Sequence, residues 1–243
     1  MAEAPARPEQ RGPVGRRPLK VLALFPLTAA SALLISHVVV TGQPVPSQNP
    51  AEQVLEDFLK GESDGFPRGW QASRSEAETR KAYVITKEGN QAFLRTNGID
   101  DQMRIKKRIA WDPKEYPIVT WRWRLVSMAL LGKSSVPPEK QMIAAVFITL
   151  DTDLLFIPVF TKYIWSPYGT VGAFKEGGMF SGSEVIVRTG DQPIGRWVEE
   201  RVNAYADFLK FHNHEPAPQA WGISLVTGPG IELDFGSIKL AKQ

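Results

Sequence analysis

Arginine and tryptophan alternate in the segment Tyr116-Pro-Ile-Val-Thr-Trp-Arg-Trp-Arg-Leu125, and both residue types can do chemistry. A guanidinium presents a planar fork of donors that fits a carboxylate, sulfate or phosphate group. An indole offers a flat face on which a sugar ring or a base can stack. Read as a strand, the segment puts Val119, Trp121, Trp123 and Leu125 on one face and Thr120, Arg122 and Arg124 on the other. Arginine is seldom buried without a partner, so the tryptophan face is expected in the core and the arginine face in solvent. Arg188, in the run Glu184–Thr189, is expected to share that wet surface. The competing reading has these arginines paired with Glu184, Glu199, Glu200 or Asp207. Tyr163 and Trp165 share one face of a further expected strand and are candidates to flank an open groove; core packing is the alternative. The candidate ligand-binding set is therefore Arg122, Arg124, Tyr163, Trp165, Arg188, Glu199 and Arg201.

Other chemistries find less support in the residues. The chain has no cysteine, which excludes disulfides, thiolate catalysis and cysteine-ligated zinc. Glycoside hydrolysis needs two carboxylates facing across a substrate, and no spacing among Glu184, Glu199, Asp151 and Asp153 singles out a pair. Asp151 and Asp153 fall far short of a calcium site with its 6–8 oxygen ligands. His212 and His214 alternate in a polar stretch with no third ligand in view. The Gly-rich segment 167–183 lacks the Gly-Lys-Ser/Thr end of a phosphate-binding loop. No serine lies in a nucleophile-elbow pattern. Catalysis is left open with a leaning against it, and neither a cofactor nor a metal is expected.

The elements that must position these residues read as strands. Lys81–Thr86 and Gln91–Thr96 form a hairpin signal around Gly89-Asn90. Met103–Trp111 alternates apolar with basic residues and is expected as an outer strand whose Arg and Lys discourage edge pairing. Ile143–Leu150 is continuously apolar and β-branched, hence a buried inner strand. Leu154–Trp165, with its strand after Pro158, and Glu184–Thr189, Gly222–Thr227 and Glu232–Leu240 follow. Ala51–Lys60 reads as a short helix or an opening strand, and Gly195–Phe211 as the one internal helix. Strands do not alternate with helices. The expected fold is all-β and mainly antiparallel, a jelly-roll-like β-sandwich over residues 51–243.

Residues 1–20 form a basic leader, expected to be disordered. They hold five basic and two acidic residues, which leaves 24 of each in the rest of the chain. A neutral remainder argues against a nucleic-acid partner. Val21–Thr41 contains no Asp, Glu, Lys or Arg. A helix of that length just spans a hydrocarbon core of about 30 Å. With the basic residues on its N-terminal side, the positive-inside rule puts residues 1–20 in the cytoplasm and the rest beyond the membrane. Residues 21–42 are expected as a signal anchor or a cleaved signal peptide, and 43–50 as a Pro-rich linker.

Gly69-Trp70, Tyr116-Pro117, Trp121-Arg122-Trp123, Tyr163-Ile-Trp165-Ser166, Val187-Arg188-Thr-Gly190 and Trp197-Val-Glu-Glu-Arg201-Val-Asn203 follow one another in an order that resembles the bacterial family called domain of unknown function 3047, over about residues 55–240. That resemblance implies an exported, β-rich protein of no established activity. It also marks departures: Lys140-Gln141 stands where relatives tend to carry paired aspartates, and Thr227-Gly-Pro-Gly-Ile231 where they tend to carry an acidic, Asn-containing loop. Residues and resemblance together lead to the expectation of a cell-envelope domain that binds a glycan or another anionic envelope component, with membrane contact through residues 21–41. A carbohydrate-active hydrolase or lyase on the same fold, and a structural partner in an envelope assembly, are the alternatives.

Overall fold

The computed structural model describes residues 51–98, 101–128, 141–178 and 182–243. The leader, apolar run and linker expected over residues 1–50 lie outside the described residues. Among those described, no helix is long and apolar enough to cross a membrane.

The described chain is mostly β and forms two sheets. The first contains β1 (Glu52–Glu56), β3 (Tyr83–Glu88), β4 (Gln91–Thr96), β6 (Ile118–Ser127), β11 (Val198–Asn203) and β13 (Glu232–Ala241). Its order is β11-β6-β13-β4-β3, with β1 also on β13. The second contains β2 (Gln71–Ala72), β5 (Met103–Arg108), β7 (Ala144–Thr152), β8 (Pro158–Ser166), β9 (Phe174–Lys175), β10 (Ser183–Thr189) and β12 (Gly222–Thr227), in the order β2-β5-β12-β7-β8-β10-β9. Every pairing is antiparallel except that of β10 with β8, which is parallel.

The core lies between the sheets and follows from alternation. Val119, Trp121, Trp123 and Leu125 of β6 are all buried, as are Tyr163 and Trp165 of β8 on the facing sheet. Trp121 meets Tyr163 at 5.8 Å between ring centroids, and Trp123 meets Trp165 at 5.4 Å. These side chains remove large apolar areas from water, and truncating one to alanine costs about 3–5 kcal/mol. On β13 the alternation breaks. Phe235 opposes Trp123, but Ile238 opposes Trp121, so the strand carries one extra residue at Gly236-Ser237. This β-bulge turns Leu233 and Phe235, then Ile238 and Leu240, to the same interior face.

Among the described residues there are two helices, not one. α1 (Glu76–Ala82) lies where no helix is expected from the pattern. α2 is Ala204–His212, shorter than the expected Gly195–Phe211. The first half of that expected helix is β11, paired residue by residue with β6 from Val198↔Trp123 to Asn203↔Ile118. Val198 and Val202 are four residues apart, a spacing that satisfies both a helix face and a strand face. The open edge of β6 decides for the strand. Asn203 then caps α2, its side chain accepting from the Ala206 N–H at 2.8 Å. Ala51–Lys60 opens as strand β1, and the expected hairpin of β3 and β4 is present.

Candidate functional site

The arginines of β6 do face outward, onto the outer surface of the six-stranded sheet, but they are not equivalent. Arg124 lies beside Asp234 of β13, which is fully buried. Its Nε donates to Asp234 Oδ2 at 2.8 Å, and its two terminal nitrogens donate to Glu88 at 2.9 and 3.0 Å. Arg95 of β4 approaches the same aspartate from the other side, at 2.7 and 3.0 Å. Arg124 is thus the centre of a structural ion network. Arg122 has no ion pair among the described residues. Its guanidinium lies 5.0 Å from the Trp197 ring, above Gly236 of the bulge, beside a shallow cavity of about 320 Å³. A Cβ on Gly236 would come within 3.1 Å of that indole and 3.2 Å of Arg122 Cβ, so glycine lets Trp197 lie flat on the sheet.

Arg188 does not share this surface. It belongs to β10, on the other sheet, and reaches across the edge of the sandwich to Glu200 of β11, where its Nε donates to Oε1. The same carboxylate accepts from Trp123 Nε1 at 3.1 Å. Burial raises the Glu200 pKa, and the Arg188 charge and hydrogen bond only partly offset it. Tyr163 and Trp165 do not flank a groove: both are fully buried. Tyr163 donates to Asp207 Oδ2 at 3.0 Å, and Trp165 Nε1 donates to the Gly190 carbonyl at 2.7 Å. Burial pushes the Asp207 pKa up and the Tyr163 pKa well up. Inward parity, the same that buries Trp121 and Trp123, puts them there. Glu199 and Arg201 stand exposed on the edge strand β11. The structure therefore brings Arg122, Arg124 and Trp197 together, with Glu199 directly across from Arg122 and Arg201 one pair further along on the same outer face, and separates them from Tyr163, Trp165 and Arg188.

A depression of about 480 Å³ lies elsewhere, on the outer face of the seven-stranded sheet, and pairing register builds it. Across that face run three rows: Arg104, Val226, Ala145 and Ile164; Lys106, Ser224, Phe147, Lys162 and Glu184; Arg108, Gly222, Thr149 and Phe160. The central strand β12 contributes only valine, serine and glycine, so it forms a trough between a basic wall on β5 and a mixed wall on β8. Gly222 must stay glycine: at φ 145° an added Cβ would sit 2.1 Å from the Lys107 carbonyl oxygen. Phe147 and Phe160 stack at 5.3 Å in nearly parallel planes. Phe147 lines both a cavity of about 480 Å³ beside β5 and one of about 430 Å³ beside β10.

The basic wall has no acidic partners among the described residues. Arg104 Nε donates to Ser73 Oγ at 2.8 Å, and its guanidinium stands 5.9 Å from the Phe147 ring. Burial, with Arg74 nearby, lowers its pKa. The Arg108 guanidinium carbon lies 3.6 Å from the centroid of the Trp221 ring. On the far wall Lys162 stands over both phenylalanines and binds Glu184 at 2.8 Å. In the sequence the alternation of Met103–Trp111 reads as edge protection; in the fold β2 covers that edge with only two residues, and the basic side chains face the trough. Arg104, Lys106 and Arg108 recur every second residue, about 7 Å apart along a strand, which is the signal that marks one continuous charged face.

None of the curated proteins matches the chain. Among solved structures it is similar to the carbohydrate-binding module TmCBM61 in complex with β-1,4-galactotriose, with 10% identity, TM-score 0.38, and 77% of this chain and 99% of that one covered. It is similar to the K2 cleaved adhesin domain of Lys-gingipain at 13% identity and TM-score 0.39, covering 79% and 99%. A cellulase derived from the Cel12A enzyme of Rhodothermus marinus matches at 11% identity and TM-score 0.35, covering 72% and 99%. The family model described as a protein of unknown function, DUF3047, matches residues 68–228, and the chain belongs to that family.

Proposed function

We propose that the protein is a non-catalytic binding domain on a jelly-roll-like sandwich, placed outside the cytoplasmic membrane, and that an anionic glycan lies along the trough of its seven-stranded sheet. One observation carries this reading. Arg104, Lys106 and Arg108 line a 480 Å³ cavity with no carboxylate among its described lining residues, beside the stacked rings of Phe147 and Phe160. Guanidinium and ammonium groups without a carboxylate partner on one wall suit carboxylate or sulfate substituents, and the partly exposed Phe160 ring, stacked on the buried Phe147, suits the apolar face of a sugar. Glu184 is the carboxylate that lines the neighbouring cavity, and it is tied to Lys162. General acid–base cleavage of a glycosidic bond requires a second carboxylate opposite the first, so the trough supports binding over hydrolysis.

The test is affinity electrophoresis and calorimetry of the full chain against polygalacturonate, a neutral glucan and single-stranded DNA. Retention by polygalacturonate that weakens as salt is raised, and that is lost when Arg104 and Arg108 are both replaced by alanine, is expected. Equal retention by the neutral glucan, preference for DNA, or no polyanion binding at all refutes the proposal.

A further inference from the structure

The turn between β7 and β8 holds three large apolar side chains in solvent, and it is built to do so. Asp153 Oδ1 accepts from the backbone N–H groups of Leu155 and Ile157, both at 2.8 Å. The Asp153 N–H donates to the Ile157 carbonyl and the Phe156 N–H to the Asp153 carbonyl, each at 2.9 Å. Phe156 takes a left-handed φ of 60°, which side chains of its size rarely adopt. Leu154, Leu155 and Phe156 are 99%, 73% and 78% exposed. Single exposed apolar residues need no explanation, but three in succession on an ordered tip mark a contact surface.

The position of the tip identifies the surface it meets. Ala51, where the preceding chain joins the domain, accepts from the Lys242 N–H at 2.9 Å. Lys242 Nζ binds Glu115 at 2.8 Å, the adjacent Lys114 binds Glu215 at 3.2 Å, and His214 Nδ1 stands 3.7 Å from Asp151 at the foot of the tip. These contacts run from Ala51 to the tip across one end of the sandwich. Strand register agrees. Trp121 over Tyr163 and Trp123 over Trp165 set β6 and β8 side by side in one direction. Ile118, which pairs with Ala241 and through it with Glu52, therefore lies at the Pro158 end. The uncharged run Val21–Thr41 precedes Ala51 by a short Pro-rich stretch, and its length matches a bilayer core. A domain held at a bilayer through the chain that enters at Ala51 would present to it the end from which Leu154, Leu155 and Phe156 project. Ile157 and Pro158, which follow the tip, line the same cavity as Trp221 and Arg108. An indole with a cation over it is the pairing that settles at headgroup depth.

We propose that the Leu154-Leu155-Phe156 tip inserts into the lipid interface, a membrane contact that adjoins the trough at its Ile157-Pro158 end. The chain has no cysteine, so a single introduced thiol can be labelled uniquely. Leu155→Cys, carrying an environment-sensitive fluorophore, is compared in the full chain with Asp191→Cys, which lies past β10 at the opposite end. The probe is vesicles of phosphatidylethanolamine and phosphatidylglycerol in a three-to-one mixture. A blue-shifted emission at residue 155, with quenching by spin-labelled lipid roughly threefold or more above that at residue 191, is expected for an interfacial element. Leu154→Cys repeats the measurement in case the label at 155 perturbs the turn. A water-like emission at both tip positions, equal quenching at 155 and 191, or a shift that appears only when another protein is added overturns the proposal.

Discussion

Replacing Asp234 by asparagine separates the arginines that hold the fold from those free to bind. Asp234 is fully buried and sits between two guanidinium groups, 2.7 and 3.0 Å from Arg95 and 2.6 and 2.8 Å from Arg124. Asparagine keeps the shape and one acceptor but removes the charge, and it turns an N–H₂ donor toward a guanidinium that only donates. Breaking a buried pair by removing one partner costs about 3–5 kcal/mol. Arg95 is 35% exposed and Arg124 retains Glu88, so water and a second carboxylate recover part of the loss. The low end, about 3 kcal/mol, is the expected cost, a fall in Tm of roughly 6–12 °C for a domain of this size. Thermal and urea unfolding followed by circular dichroism measure it. Arg122→Ala is the comparison, because Arg122 stacks on Trp197 without an ion pair; its expected cost is below about 1 kcal/mol. An Asp234→Asn protein that unfolds within about 1 kcal/mol of the parent, or an Arg122→Ala protein that loses as much as Asp234→Asn, refutes the structural role of the network. Retention by polygalacturonate is expected to survive Asp234→Asn, since the network lies on the sheet opposite the trough.

Within the trough, burial grades the cations. Arg104→Ala is expected to weaken polyanion binding about 10- to 100-fold and Lys106→Ala only a few-fold, because a desolvated charged hydrogen bond is worth about 1.5–3 kcal/mol and an exposed one less than about 1; calorimetry at fixed salt checks the order. Trp121 and Trp123 are equally buried, but Trp121 Nε1 has no acceptor among the described residues while Trp123 Nε1 donates to Glu200. Trp121→Phe should therefore be milder than Trp123→Phe by about 1–2 kcal/mol in urea unfolding. Burial, with His214 adding to it, depresses the His212 pKa below 6.5. The unfolded chain then binds the proton first, so this contribution to stability is present above pH 6.5 and lost as pH falls below it. In His212→Leu, Tm should fall less between pH 7 and 5 than in the parent.

The inward half of the fold was legible in the sequence wherever alternation was unbroken. Trp121 and Trp123 are in the core and Arg122 and Arg124 are outside, as their parity demands, and the apolar run at β7 is buried on its strand. Legibility failed where one spacing serves two periods. Val198 and Val202 fit a helix until an unpaired edge of β6 supplies hydrogen bonds. It failed again where parity shifts, because nothing local shows that Gly236-Ser237 adds a residue to β13. Tyr163 and Trp165 were visible as sharing a face, but which face depends on what packs across the sandwich. The basic alternation at Arg104, Lys106 and Arg108 was equally visible. Its meaning depended on β12, more than a hundred residues later, placing glycine, serine and valine beside it.

The decisive property of each cation here is the nearest carboxylate, and sequence distance hides it. Arg95 finds Asp234 at a separation of 139 residues, Arg124 the same aspartate at 110, and both become structural. Arg188 finds Glu200 only 12 residues on, yet from the opposite sheet. After residue 20 the chain has as many acidic as basic residues, so a surplus of unpaired cations in one place requires that carboxylates be spent elsewhere. The six-stranded sheet spends Glu88, Asp234 and Glu200 on arginines, and β5 is left with a basic wall. A low net charge is for that reason no argument against an anionic ligand. If the wall is a site, exchanging the charge of Glu88 or Glu200 should change stability and leave retention alone, whereas a carboxylate introduced opposite it, by Thr149→Glu, should abolish retention at little cost to the fold. A Thr149→Glu protein that folds and still binds polygalacturonate as the parent does would remove the trough from consideration.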